Sequence, residues 1–270
     1  MSSKKELVVV GDSYCVDYIV MRNKLHITSK RPYFLIVNYK TKEFKWEYIK
    51  PYGFWGDIIA KELNLKLVNL STSGSGNSQI FAKSLDYITK NKNKIGKIII
   101  SWSGWYRMDF EPENKNDLWK NINTVVPVGL VDGNVGRDNH DTLVDIMRKT
   151  KIINYNSILN KFIRYVYLMQ IMCESLNIDY YMISSIFEKD PDNQKIYEYI
   201  ISKMLLKNSY FELINEDKFI GWPICENLGG YCMQNIIHST NKKYLISAYD
   251  NHPNELGHKL IGQHILNEIL

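Results

Sequence analysis

The chain has 270 residues, of which 45% are hydrophobic and 23% are charged, and its formal net charge is +5. This balance is typical of a globular protein with a full apolar core, and the length suits one large α/β domain better than two domains. The lysines are spread along the whole chain, which argues against a nucleic-acid partner. No apolar run reaches the roughly 18 residues of a membrane-spanning helix, so no membrane contact is expected.

The first six residues contain no apolar signal-peptide core, which predicts synthesis in a cytoplasm. Four cysteines without a CxxC pair argue against a tetrahedral metal site. Reduced thiols are the favoured interpretation, while a Cys225–Cys232 disulfide stays open for an exported chain. The abundance of Lys, Asn, Ile and Tyr suggests an AT-rich genome such as that of a phage, and with it a virion or an infected host cell.

Apolar runs and helical periodicities alternate along the chain. They predict strands at Leu7–Val10, Leu67–Leu70, Ile98–Ile100 and Tyr180–Ile183, and helices at 53–64, after residue 78, at 157–176, at 193–207 and at 254–269. This alternation predicts an α/β fold with a parallel sheet and helices on both faces. In such a sheet the functional loops lie beyond the carboxyl ends of the strands.

Two stretches depart from the alternation. Residues 20–50 hold two β-rich runs with Lys40-Thr41-Lys42 between them, and they predict an inserted β-hairpin. Residues 105–150 are long, polar and rich in Asn, Asp and Gly, and they predict a lid or a partner-binding insertion. Both are expected to belong to a single domain, 1–270, and through them a homo-oligomer or a larger assembly stays open.

Polar segments follow the first two strands at the same edge of the sheet. Gly11-Asp12-Ser13 follows the first strand, where the glycine permits a tight turn and Ser13 projects from the edge. A helix-capping Ser13 is the structural alternative. In the loop 71–78, Gly74 would let a backbone N–H approach a substrate closely and stabilise an oxyanion. A flexible loop in which Asn77 caps the next helix is the alternative there.

Asp250-Asn251-His252-Pro253-Asn254 precedes the last helix. The proline stiffens the turn and the second asparagine caps the helix, so His252 is fixed just before the helix begins. Asp250 could accept a hydrogen bond from one imidazole nitrogen while the other nitrogen faces Ser13. A capped helix with a surface histidine is the structural alternative, and Asp12 stays open as the carboxylate that orients His252.

The order G-D-S, then N-x-S-x-S-G, then D-x-H-P-N-x-x-G resembles the SGNH/GDSL hydrolase family, whose members are esterases, lipases and carbohydrate O-deacetylases. The resemblance spans the chain and implies a flavodoxin-like three-layer α/β/α sandwich. It implies that Ser13 is the nucleophile, His252 the base and Asp250 the carboxylate. The N–H groups of Ser13 and Gly74 would stabilise the oxyanion, and no metal or organic cofactor is needed.

The third family block, G-x-N-D, is replaced by Ser101-Trp102-Ser103-Gly104, which lacks the asparagine of the oxyanion hole. Asn77 could supply the missing donor; otherwise two donors remain and activity is reduced or absent. Candidate substrate contacts are Trp102, Ser103 and Arg107. The tryptophan could form a sugar-stacking wall with Trp105, and the arginine could bind an anionic group. Core packing and a surface arginine are the structural alternatives.

The sequence therefore predicts a serine esterase that hydrolyses a small acyl ester, most simply acetyl, on a carbohydrate or another small molecule. One alternative is a non-catalytic protein of the same fold that binds glycan or builds a virion, which the missing asparagine and the insertions favour. The other is an O-acyltransferase, because the same triad serves acyl transfer to a sugar.

Overall fold

The computed structural model describes residues 4–16, 33–38, 43–48, 52–110, 123–125, 150, 154–187, 194–238, 242–246 and 251–270. The strands in these ranges are β1 Glu6–Val10, β2 Tyr33–Asn38, β3 Glu43–Tyr48, β4 Lys66–Asn69, β5 Ile95–Trp102, β6 Met108–Phe110, β7 Asn123–Val125, β8 Tyr180–Ser184 and β9 Phe219–Ile220. The helices are α1 Trp55–Glu62, α2 Asn77–Asn91, α3 Tyr155–Ser175, α4 Gln194–Leu206, α5 Met233–His238 and α6 Glu255–Ile269.

Five strands form a parallel central sheet in the order β4-β1-β5-β8-β9. Val8 of β1 lies between Val68 of β4 and Ile98 of β5. All five residues of β1 are buried, because a central parallel strand is covered on both faces. This explains why β1 and β5 read in the sequence as continuous apolar runs rather than alternating ones.

Helices cover both faces of the sheet, and two apolar cores result. Successive side chains of a strand point to opposite faces, so Val8 and Val10 pack in the core that includes buried residues of α2, α3 and α4. Leu7 and Val9 pack in the other core, with buried residues of α1, α5 and α6. The predicted three-layer α/β/α sandwich is confirmed.

The four predicted strands and the five predicted helices are present, with ends displaced by a few residues. Neither β9 nor α5 was predicted, because two and six residues are too short for a periodicity to show. The predicted hairpin is confirmed, since β2 and β3 pair antiparallel with Tyr33 opposite Tyr48. In the second insertion β6 pairs antiparallel with β7. Most of residues 105–150 lie outside the described residues, so a lid or partner-binding role stays a prediction.

None of the described helices combines the length and the apolar character needed to cross a membrane. The four cysteines are buried free thiols, and Cys225 is not joined to Cys232. Burial raises the pKa of Cys173 to about 12 and that of Cys232 to about 11. These thiols are therefore protonated and unreactive at neutral pH.

Gly11 allows the chain that leaves β1 to pack directly against β5. A Cβ at this position would lie 2.7 Å from Cys15 Sγ and 2.9 Å from Ser101 Cβ, both closer than real Cβ contacts come. The sequence suggested a tight turn as the reason for this glycine. The structural reason is instead the close approach of β5 and of the turn that follows.

We expect Gly11→Ala to lower the free energy of unfolding by about 1–3 kcal/mol, because the added methyl group overpacks a site with no space. Denaturant unfolding of the variant and the wild type measures the difference. A change below about 0.5 kcal/mol, the range of ordinary surface substitutions, would contradict the packing described here.

Candidate active site

The turn that carries Ser13 is built by its neighbour Asp12. The residues Ser13–Cys15 form a single 3-10 turn, and Asp12 Oδ1 accepts the Tyr14 N–H at 3.0 Å as its N-cap. The Cys15 N–H donates to the Asp12 carbonyl oxygen at 3.0 Å. Ser13 is therefore the first residue of the turn and not its cap. At this first position its backbone N–H has no partner within the turn.

Ser13 and His252, 239 residues apart in the sequence, are in hydrogen-bond contact. His252 Nε2 lies 2.7 Å from Ser13 Oγ. Both side chains are only partly buried, so a reactant can reach them. A serine hydroxyl against an imidazole nitrogen at this distance is the arrangement by which a base activates a nucleophile.

His252 is held by the residues that flank it. On one side the Tyr14 hydroxyl donates to the Asn251 carbonyl oxygen at 3.0 Å, and the Tyr14 ring centroid lies 5.3 Å from that of His252. On the other side Asn254 caps α6 by accepting the N–H groups of Leu256 and Gly257. Both anchors keep the imidazole in front of the turn Ser13–Cys15, hereafter the nucleophile turn.

Asp12 ties the nucleophile turn to the end of β5. Its carboxylate is fully buried, and Oδ2 accepts the Ser103 hydroxyl at 2.7 Å. Arg107 Nη1 lies 3.6 Å from the same oxygen. With Tyr14 N–H on Oδ1, both oxygens are engaged by groups other than His252. These contacts favour Asp12 as a positioning residue rather than as the carboxylate that orients the imidazole.

Asp250 lies outside the described residues, so its role as the orienting carboxylate stays a prediction. Two other titratable side chains, His258 and Cys15, are unsuited to act as base or as nucleophile. His258 is 1% exposed, and burial together with the nearby charge of His252 lowers its pKa to about 3. Burial raises the pKa of the Cys15 thiol well above its usual value. Neither competes with His252 as base or with Ser13 as nucleophile.

The loop after β4 lies beside the nucleophile turn. The Thr72 N–H donates to the Gly11 carbonyl oxygen at 3.1 Å. Gly74 has φ +78°, a left-handed conformation that favours glycine, while a Cβ there would meet no protein atom within 4 Å. Backbone conformation, not crowding by the protein, therefore explains this glycine. Its role as an oxyanion donor stays a prediction.

Asn77 fastens the start of α2 to the chain that leaves β5. Its side chain is buried; Oδ1 accepts the Ser103 N–H at 2.9 Å, and Nδ2 donates to the Gly104 carbonyl oxygen at 3.0 Å. One amide hydrogen is thereby used, and the predicted oxyanion role would depend on the other. The cap of α2 is Gly76, so Asn77 begins the helix instead of capping it.

Asp109 is a structural residue that the sequence did not reveal. Its carboxylate accepts the N–H groups of Gly76 at 2.7 Å and Gln79 at 2.9 Å, and the Ser78 hydroxyl at 2.6 Å. It thus satisfies the first turn of α2 from a strand about thirty residues away. A Cβ on Gly76 would lie 2.3 Å from Asp109 Oδ1, which explains the second glycine of the loop.

Two of the three predicted substrate contacts are wrong. Trp102 is fully buried at the end of β5, where its ring packs edge-on against Phe162 and its Nε1–H points at Met182 Sδ at 3.3 Å. Ser103 is also fully buried, with its hydroxyl committed to Asp12. The strand runs two residues further than Ile98–Ile100 suggested, to Trp102, whose side chain therefore enters the core. Arg107 borders a cavity instead.

No family model matches the sequence, and no curated protein matches it. Several solved structures align with the chain over nearly its whole length. A protein of the G-D-S-L lipolytic family from Desulfitobacterium hafniense has 12% identity and a TM-score of 0.45, with 98% of this chain and 99% of that chain covered. A lipase from a goat rumen metagenome has 12% identity and a TM-score of 0.47, with 98% and 97% covered.

An acetylxylan esterase from Geobacillus stearothermophilus, solved as a catalytic mutant, has 13% identity and a TM-score of 0.44, with 100% of this chain and 95% of that chain covered. The first of these structures is described as a G-D-S-L family protein, the family that the order of motifs in this chain resembles. Identities and TM-scores this low do not define its chemistry, which has to follow from its own side chains.

We expect Ser103→Ala to lower the free energy of unfolding by about 1.5–3 kcal/mol, because a buried carboxylate loses a hydrogen-bond donor. Ser175→Ala is the matched control, since that exposed hydroxyl also makes one hydrogen bond, to the Met172 carbonyl oxygen. Its effect should stay within about 0.5 kcal/mol. Equal effects of the two substitutions in denaturant unfolding would show that the Asp12–Ser103 contact is unimportant.

Proposed function

We propose that this protein is a serine ester hydrolase in which Ser13 is the nucleophile and His252 the general base. The 2.7 Å contact between Ser13 Oγ and His252 Nε2 supports the proposal most directly. A structural role alone gives no reason to bring a partly exposed serine and a partly exposed histidine together from opposite ends of the chain.

In the proposed reaction His252 Nε2 takes the Ser13 proton as Oγ attacks the ester carbonyl carbon. The tetrahedral intermediate collapses to an acyl-serine, and the imidazolium donates its proton to the departing alcohol. Water then attacks the acyl-serine with His252 again as base, which releases the acid and restores the serine. Asp250 would hold the imidazole in the required tautomer.

The oxyanion would be stabilised by backbone and amide donors close to Ser13. The Ser13 N–H, at the start of its turn, and the Gly74 N–H are the first two donors of the proposal. The second amide hydrogen of Asn77 would be the third, in place of the family asparagine. Each donor of this kind is worth about 10²–10³ in rate.

Within this class we propose a short acyl ester, with acetyl as the simplest case. A carbohydrate alcohol is favoured because the order of motifs resembles that of carbohydrate O-deacetylases. Transfer of the acyl group to a sugar uses the same residues, and release of free acid in water separates hydrolysis from that outcome.

We expect the purified protein to hydrolyse p-nitrophenyl acetate and Ser13→Ala to lose this activity, because the alanine leaves no atom to form the acyl-enzyme. Ser175→Ala, an exposed serine on α3, should retain the wild-type rate. Release of p-nitrophenol is followed by absorbance. If wild type and Ser13→Ala both give only the background rate, a non-catalytic role in glycan binding or assembly becomes the better explanation.

A second test identifies the carboxylate that orients His252. We expect Asp250→Asn to lower kcat by about 10³–10⁴ without unfolding the protein, because the imidazole then loses its orientation and the stabilisation of its charged form. Asp12→Asn should mainly lower stability, since Asp12 lies in the buried network with Ser103. Kinetics and unfolding of both variants are compared. The reverse pattern would make Asp12 the orienting residue.

A further inference from the structure

A cavity of about 200 Å³ is bordered by Trp105, Arg107 and α3, and Arg107 connects it to Asp12, the N-cap of the turn that carries Ser13. At roughly 30 Å³ for each water molecule, it has room for six or seven waters, or for one compact polar group. Asn77, which fastens the end of β5, also borders it. The wall of the cavity therefore includes part of the hydrogen-bonded framework around the end of β5.

Arg107 is the main charged group of this cavity. Its side chain is only 18% exposed, and its anionic partner among the described residues is Asp12 Oδ2, 3.6 Å from Nη1 and beyond hydrogen-bond range. Its Nε–H is buried, and the described part of the chain offers that group no acceptor. A guanidinium has five donors in a planar fork that matches a carboxylate. Leaving the Nε–H buried without an acceptor is costly unless a ligand supplies one.

A second cation stands at the rim of the cavity. Lys161 of α3 is exposed, and its Nζ lies 5.7 Å from the centroid of the Tyr165 ring, which also borders the cavity. Two carboxylates are close, but their oxygens are engaged elsewhere. Asp12 accepts from Tyr14 and Ser103, and Asp109 accepts from the first turn of α2. Of the charged groups described at this cavity, the two cations are left to meet a ligand.

We infer that this cavity binds a carboxylate of the ester substrate, with Arg107 as its main partner and Lys161 as a weaker one. The inference rests on the proposed function and names its substrate class, a short ester that carries a negative charge. Arg107 Nη1 lies 3.6 Å from Asp12 Oδ2, and Asp12 directly precedes Ser13, so the partner of this cation is the chain neighbour of the nucleophile. The charge could belong to the acyl part or to the alcohol part of the ester.

Two matched pairs of esters distinguish a charge on the acyl part from a charge on the alcohol part. For the acyl part, p-nitrophenyl hemisuccinate is compared with the p-nitrophenyl ester of succinamic acid, in which a neutral amide replaces the carboxylate. For the alcohol part, 4-acetoxybenzoate is compared with 4-acetoxybenzamide. We expect kcat/KM for the anionic member of one pair to exceed that of its neutral partner by about tenfold to a hundredfold, the worth of a charge-assisted hydrogen bond.

Variants connect this preference to the cavity. Arg107→Gln should remove most of the anionic preference, and Lys161→Met should reduce it by about two- to fivefold, as expected for an exposed ion pair. Arg164→Gln is the matched control, because Arg164 is exposed on the same helix but borders a different cavity. It should leave the ratio of the two rates unchanged. The ratio within one variant separates charge recognition from a general loss of activity.

The outcomes are distinguishable from those that test the proposed function. If the neutral esters are hydrolysed in a Ser13-dependent way but neither anionic ester is preferred, the esterase stands and the carboxylate site is wrong. If no ester is hydrolysed, calorimetric titrations of Ser13→Ala with 4-acetoxybenzoate and with p-nitrophenyl hemisuccinate decide. Binding of either one that Arg107→Gln abolishes supports the site without the activity, and the absence of binding of both overturns it.

Discussion

The buried carboxylate of Asp12 is the constraint on which the geometry of the site depends. A fully buried anion must be supplied with donors, and Asp12 finds them in the Tyr14 N–H and the Ser103 hydroxyl, with the Arg107 guanidinium as a nearby countercharge. These donors come from the turn itself and from the chain after β5. Satisfying this one charge therefore fixes the turn that carries Ser13 against the neighbouring strand. Removing either partner alone leaves a polar atom without its complement inside the protein.

Two further polar side chains, Asn77 and Asp109, anchor the loop that follows β4 at the same edge of the sheet. Asn77 uses both ends of its amide on the backbone after β5, and Asp109 satisfies the first turn of α2 from β6. The loop that contains Gly74 is thus anchored at its far end, while Thr72 fastens it to Gly11. Buried polar networks of this kind hold loops in one arrangement because a partly satisfied network is costly. Such rigidity is what preorganised oxyanion donors require.

The sequence predicted the sheet, both helix layers and the Ser13–His252 pairing, since apolar runs and motifs after strand ends are local signals. It did not reveal partners that no local motif marks. Asp109 acts on a helix about thirty residues earlier in the sequence, and no local pattern marks such a contact. Trp102 was misread because the length of β5 decides which side chains enter the core, and strand ends are poorly defined by composition alone.

Arg107 connects the structural network to the surface of the site. Because its Nη1 stands 3.6 Å from Asp12, the guanidinium partly neutralises the buried carboxylate without a direct hydrogen bond. It is therefore less committed than a guanidinium in a bidentate pair, and its remaining donors can serve a ligand. A bound carboxylate would compete with Asp12 for the same cation. Substrate binding and the position of the nucleophile turn would then be coupled through one side chain, in proportion to how differently Arg107 binds the two carboxylates.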